Sequence, residues 1–149
     1  MDVQLPLSAQ AIIETLKMQR HPEGGWYIQT FKDKAGGPRG HSTAIYYLLE
    51  RGERSHWHRV RDAVEVWHFY AGAPLALSIA EDGKPATTVT LGSNILIGEL
   101  PQAVVPANGW QSATSLGAWT LVGCTVSPGF DFSGFVLAPQ DWAPGRPSA

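Results

Sequence analysis

Residues 55 to 72, SHWHRVRDAVEVWHFYAG, hold three of the chain's five histidines, one glutamate and a closing glycine. In an extended strand, side chains two apart share a face, so His56 and His58 point one way while Trp57 and Arg59 point the other. By the same alternation Glu65, Trp67 and Phe69 share a face in the following segment, and Val66, His68 and Tyr70 share the opposite one. Laid side by side, the two strands would bring Glu65 to the histidine pair. Two neutral imidazoles and a carboxylate suit a divalent transition ion such as Fe, Mn, Ni or Zn. Without an ion the same group suits proton transfer, because a carboxylate beside an imidazole raises its pKa toward the working range of an acid–base catalyst.

Positioning such a group is work for a β scaffold. Charged residues make up 16% of the 149-residue chain, below the roughly 25% of an ordinary globular protein, while 16 glycines, 11 prolines and 6 tryptophans point to tight turns and an aromatic interior. Segments rich in β-branched and aromatic residues follow one another: GWYIQTF, STAIYYLLE, RSHWH, AVEVWHFYAG, PLALSIAE, ATTVTLG and GAWTLVGCTV. KAGGPRG, AGAP, EDGKP, PANG and SPG punctuate them with the turn chemistry of antiparallel strands. Ahead of them Ser8 can cap a short amphipathic helix over residues 8–18, with Ile12, Ile13 and Leu16 on one stripe. The reading is a single all-β domain over 1–149, with 143–149 as a frayed tail.

A net charge of −2 offers no basic surface for nucleic acid or anionic lipid, which leaves a small molecule as the expected partner. One cysteine, Cys124, cannot form an intramolecular disulfide or a structural zinc site. The N-terminus MDVQLPLSAQ lacks the basic and apolar regions of a secretory signal, and no apolar run reaches the ~20 residues of a membrane span. A cytoplasmic protein is expected.

HPEGGWY (21–27), SHWHR (55–59), EVWHFYAGAPL (65–75), VPANGWQSA (105–113) and VSPGFDFSGF (126–135) together resemble the cupins, and within them the "cupin 5" domain of unknown function. The resemblance covers nearly the whole chain. It implies a double-stranded β-helix, the cupin jelly-roll barrel, commonly a homodimer. It also implies a metal set of His56, His58, Glu65 and Gln111, with Gln111 standing where ordinary cupins carry a histidine. An amide oxygen is a poorer transition-metal donor than imidazole. Six residues separate His58 from Glu65, more than in the general cupin pattern, and Asp62 stands at the shorter interval. Two states stay open: a loosely held metal with free positions, or a metal-free polar cluster like that of the cupin sugar epimerases.

Other residues carry two readings each. In HPEGGWY the glycines serve a tight entry turn, or the segment is a flap that brings Glu23 as a second carboxylate. Arg54 is in phase with the histidine pair and is the one arginine of this stretch placed to contact a ligand. Trp67, Phe69, Trp110 and Trp119 sit at positions that could face the interior, with Trp110, beside Gln111, the first candidate for a pocket wall. Asp131, after Pro-Gly, is a turn former or a carboxylate for catalysis. Cys124 reads as a buried small residue. The expected function is a small-molecule isomerase, epimerase or lyase acting on a carbohydrate or polyhydroxy acid, with His56 or His58 moving the proton and Glu65 polarising the imidazole or holding a metal. Its rivals are a metal-dependent oxygenase and a non-catalytic metabolite-binding or sensing module.

Overall fold

A computed structural model describes residues 6–145. Among these residues one α-helix, α1 (Ala9–Leu16), precedes eleven strands. These are β1 (Gln19–Arg20), β2 (Trp26–Lys32), β3 (Thr43–Glu50), β4 (Arg54–Val60), β5 (Val64–Gly72) and β6 (Leu75–Ala80), followed by β7 (Thr87–Leu91), β8 (Gln102–Val105), β9 (Trp110–Ser115), β10 (Trp119–Ser127) and β11 (Phe135–Leu137). They form two antiparallel sheets, ordered β1-β2-β3-β10-β5-β8 and β11-β4-β9-β6-β7, face to face in the double-stranded β-helix arrangement. The sheets do not close into one hydrogen-bonded cylinder; side chains join them.

The helix begins where Ser8 Oγ accepts from the Ala11 amide, and it ends at Leu16 because Lys17 turns left-handed and returns its amide to Glu14. It is two residues shorter at its C-terminus than its sequence pattern suggests. Ala9, Ile12 and Ile13 are buried against the outer face of the first sheet, beside Leu48 and Trp26. Of the expected frayed tail, residues 146–149 lie outside the described residues.

Between the sheets, the inward side chains of each strand divide into two halves. Tyr47 and Leu49 on β3, Trp67 on β5, Leu75 and Leu77 on β6, Leu91 on β7 and Val122 on β10 fill one end as a dry core. At the other end the same strands turn Thr43, Ile45, Glu65, Cys124 and Val126 toward an open cavity. Antiparallel register keeps this division level across the first sheet: Cys124 lies opposite Ile45 and Trp67, and Val126 opposite Thr43 and Glu65.

Two features depart from simple alternation and shape the cavity. Strand β4 pairs with β9 through Ser55↔Ala113 and His58↔Gln111, with a bulge between them, so one extra residue lies between the two register points. The segment after β10 crosses from the first sheet to the second. Asp131 caps a 3-10 turn over Phe132–Gly134, and the chain then pairs with β4 as β11. Asp131 is thus a turn former, its carboxylate accepting from the Ser133 amide.

The turn between β1 and β2 docks onto the bulge. Gly24 has φ +110°, and a Cβ there would stand 2.1 Å from the Arg54 carbonyl oxygen. Gly24→Ala is therefore expected to cost at least about 2 kcal/mol, since backbone strain adds to an unavoidable clash. At Gly52, φ is +83° but nothing lies within 4 Å of an added Cβ, so Gly52→Ala should cost only about 1–2 kcal/mol for the conformation alone. Urea denaturation of the two variants separates these costs.

Candidate active site

The bulge decides which residues of SHWHR reach the interior. Ser55 and His58 are buried and face inward, as does Val60. Arg54, Trp57 and Arg59 face the other side of the sheet. His56 falls within the bulge, where its imidazole Nε2 meets the Pro139 carbonyl at 2.9 Å and its backbone amide donates to Glu23 O at 2.8 Å. The expected convergence of His56 with His58 is therefore not formed, because the inserted residue inverts the period-2 phase between them. For the same reason Arg54 does not look inward. Its guanidinium donates to Ser112 Oγ and lies over Trp57, outside the cavity.

His58 takes the central place. Its Nδ1 lies 2.7 Å from the His56 carbonyl, which can only accept, so Nδ1 carries the proton and Nε2 presents its lone pair. Nε2 faces Glu23 Oε2 at 3.4 Å. Glu23 also accepts from the Ser55 hydroxyl through Oε2, and its Oε1 lies 3.2 Å from His21 Nδ1. His21 Nδ1 accepts from the Glu23 amide, which leaves its own proton on Nε2. One carboxyl group thus stands between two imidazole lone pairs. The turn delivers it there: His21 and Gly25 exchange a backbone bond at 3.0 Å, the Gly24 amide returns to His21 O, and the Tyr47 hydroxyl donates to the Gly24 carbonyl.

Glu65 enters from β5. Its Oε1 accepts from Gln111 Nε2 at 2.8 Å, while Gln111 Oε1 accepts from Trp67 Nε1 at 2.7 Å. Because an indole N–H can only donate, this orientation of the amide is fixed by its partners. Trp67 is a core residue that orients Gln111 and does not line the cavity. Asp62 is exposed and paired with Arg39 at 2.6 Å, so Glu65 is the cavity carboxyl.

These contacts also test the expected metal set. Gln111 turns its N–H groups, not its oxygen, toward Glu65, and His56 is bonded away at Pro139. Two of the four donors are committed elsewhere, so His56, His58, Glu65 and Gln111 do not fit a transition ion. Among the described residues no group of three His, Cys, Asp or Glu side chains is arranged to hold one.

The cavity has a volume of about 290 Å³. His21, Glu23, His58 and Glu65 give its polar wall, while Phe130, Phe132 and Phe135 pack edge to face on one another, 4.9 to 5.9 Å apart, and form the apolar wall. Exposed Gln19, Gln29 and half-exposed Phe132 rim its mouth. Trp110 is not a wall. It lies on the outer face between Arg59 and Trp142, its indole donating to Asp82, because it neighbours an inward Gln111 in an alternating strand. Trp119 likewise packs under α1. Cys124 is buried and lines the cavity, its thiol pKa pushed well up by burial. His21, Ser55 and the three phenylalanines are the site residues that strand periodicity did not reveal, although HPEGGWY, SHWHR and VSPGFDFSGF mark the segments that carry them.

Burial governs the electrostatics. It raises Glu23 to about 8, against the Ser55 hydrogen bond, and Glu65 to about 7, against the attraction of His58. It lowers His21 to about 3, helped by His58, and lowers His58 against the opposing pull of Glu65. A carboxyl raised on folding binds its proton more tightly in the native state, so its stabilisation holds at low pH and is lost as pH rises through the folded value. A histidine lowered on folding does the reverse, losing stabilisation as pH falls below its ordinary 6.5. Near pH 5.5 the two effects oppose, and above pH 7 only the carboxyls act. Stability should therefore change little from pH 5 to 6.5 and fall between about pH 6.5 and 8. Glu23→Gln, which copies the protonated acid and cannot ionise, should match the wild type below about pH 4.5, gain on it as pH rises, and flatten the alkaline limb in urea titrations.

With this geometry in hand, comparisons with known proteins give the lineage. The family described as Cupin superfamily (DUF985) matches residues 10–138. No curated protein matches the chain. Among solved structures, a protein from Shewanella oneidensis is 34% identical with a TM-score of 0.85, over 91% of this chain and 87% of its own. A hypothetical protein from Leishmania major is 29% identical with a TM-score of 0.81, over 90% and 89%. Oxalate decarboxylase from Bacillus subtilis, a protein with Mn(II) centres, shares the fold alone, at 13% identity and TM-score 0.60 over 79% of this chain and 29% of its own. The chain belongs to the cupin superfamily, in the family described as DUF985.

Proposed function

We propose that this cupin is a small-molecule enzyme of the isomerase, epimerase or lyase type, moving a proton on a compact hydroxylated substrate held in the cavity. The observation that supports this reading above the others is the contact between His58 Nε2 and Glu23 Oε2, a neutral base beside a buried acid on one cavity wall. Near neutral pH, burial keeps Glu23 protonated and His58 unprotonated. In the proposed step His58 Nε2 takes a proton from a substrate carbon adjacent to a carbonyl, and Glu23 gives its proton to the carbonyl oxygen. Glu65, held by Gln111, supports the imidazolium as it forms, since its charge favours the protonated form of His58. Ser55 and His21 position Glu23.

A metal-dependent oxygenase finds less support, because the expected donors do not converge. The volume of about 290 Å³ is at the small end of ligand pockets, room for on the order of ten water-sized groups, and so suits a monosaccharide-sized body rather than a nucleotide-linked one.

The test is solvent deuterium incorporation at carbon, followed by NMR across a panel of small hydroxy-aldehydes and hydroxy-ketones. The folded wild-type protein should exchange at least one of them. His58→Asn and Glu23→Gln should each lower the rate by about 10²- to 10⁴-fold, the range of a positioned acid or base. Undiminished exchange in either folded variant, or binding of panel members with no exchange at all, would overturn the mechanism; the second result would favour a sensing module.

A further inference from the structure

Every described residue that faces the cavity is uncharged, aromatic or acidic; no Lys or Arg lines it. Several cations of the chain are paired elsewhere: Arg20 with Glu53, Arg39 with Asp62, Arg59 with Asp82 and Lys84 with Glu81. Glu23 and Glu65 are about nine-tenths buried, and their polar neighbours are a hydroxyl, an amide and neutral imidazoles. An anionic ligand would enter an apolar space with carboxyl groups on one wall and no counter-charge, so its desolvation would go uncompensated. A cation would find two carboxyl groups and, opposite them, the π-faces and edges of Phe130, Phe132 and Phe135.

We propose that the ligand of this cavity is a compact organic cation, an amine-bearing molecule whose ammonium pairs with Glu65 and hydrogen-bonds to Glu23, which remains the acid of the proposed step, while its carbon body lies against the phenylalanine wall. This deepens the small-molecule reading above and rests on it. It narrows that reading to amino-bearing substrates and excludes the polyhydroxy acids expected from the sequence. The chemistry differs from that of a metal-bearing cupin, in which an ion can offset an anionic substrate.

Two isosteric series test it on the intact protein by calorimetry and thermal shift: glucosamine, glucose and gluconate, and benzylamine, benzyl alcohol and benzoate. In at least one series the amine should bind tenfold or more tighter than both the alcohol and the carboxylate. Glu65→Gln alone should reduce that preference, and Glu23→Gln with Glu65→Gln should bring it below threefold. Carboxylates binding as tightly as amines, an amine preference that persists in the folded Gln variants, or no binding by either amine would overturn the proposal. Amines that bind without carbon exchange would leave the ligand class standing and remove the catalytic reading; exchange on uncharged sugars with no amine preference would do the opposite.

Discussion

A carboxyl group sealed between two sheets without a cationic partner is the constraint on which this site depends. Glu23 reaches that position because the His21–Gly25 turn docks on β4, and the docking is possible because the bulge in β4 frees the His56 amide for the Glu23 carbonyl. Each part requires the others. The turn needs glycine where the Arg54 carbonyl leaves no room for a side chain, the bulge needs an outside acceptor for its unpaired amide, and the acid needs hydrogen-bonding neighbours to be tolerated in the interior. Protonation is the remaining means by which a buried acid avoids an uncompensated charge, which is why burial raises its pKa.

Gln111 performs a second structural duty. From the second sheet it spans Glu65 and Trp67, which are two apart on β5 of the first, and so satisfies one carboxyl oxygen and one indole N–H with a single amide. This link joins the dry core to the cavity across sheets that share no continuous hydrogen-bonded edge. A histidine at this position could offer a metal its lone pair, whereas the amide is consumed by its two partners. The replacement of a ligand by a brace fits the movement of His56 out of the interior. Together they leave a wall of carboxyl and imidazole groups in place of the four-donor metal set that the sequence resemblance implied.

The alternation of apolar residues and the turn-forming glycines and prolines made the all-β architecture legible, and the motifs carried the family. Strand-by-strand facing was read correctly where strands run without interruption: Glu65 and Trp67 share the inner face of β5, and His68 lies outside with Thr125. It failed for β4, since alternation fixes facing only while every residue advances the strand by the same half-turn, and a bulge adds one that does not. His56 and Arg54 were therefore read inward along with His58, and Trp110 was joined to Gln111 by adjacency in sequence when the two necessarily face opposite ways.

By itself the sequence determined the all-β class, the helix cap at Ser8, and the segments that line the cavity, because the first two follow from local spacing and turn preference and the last from the motifs. Tertiary structure alone decided the membership of the site. It selected Glu65 over Asp62 as the cavity carboxyl on this side and brought Glu23 in beside it, seated His21 and the Phe130–Phe132–Phe135 wall, and turned the Gln111 amide away from ligation. Those outcomes depend on which segment docks against which, and on the burial that docking produces. Neither quantity exists until residues some thirty to more than a hundred positions apart are brought into contact.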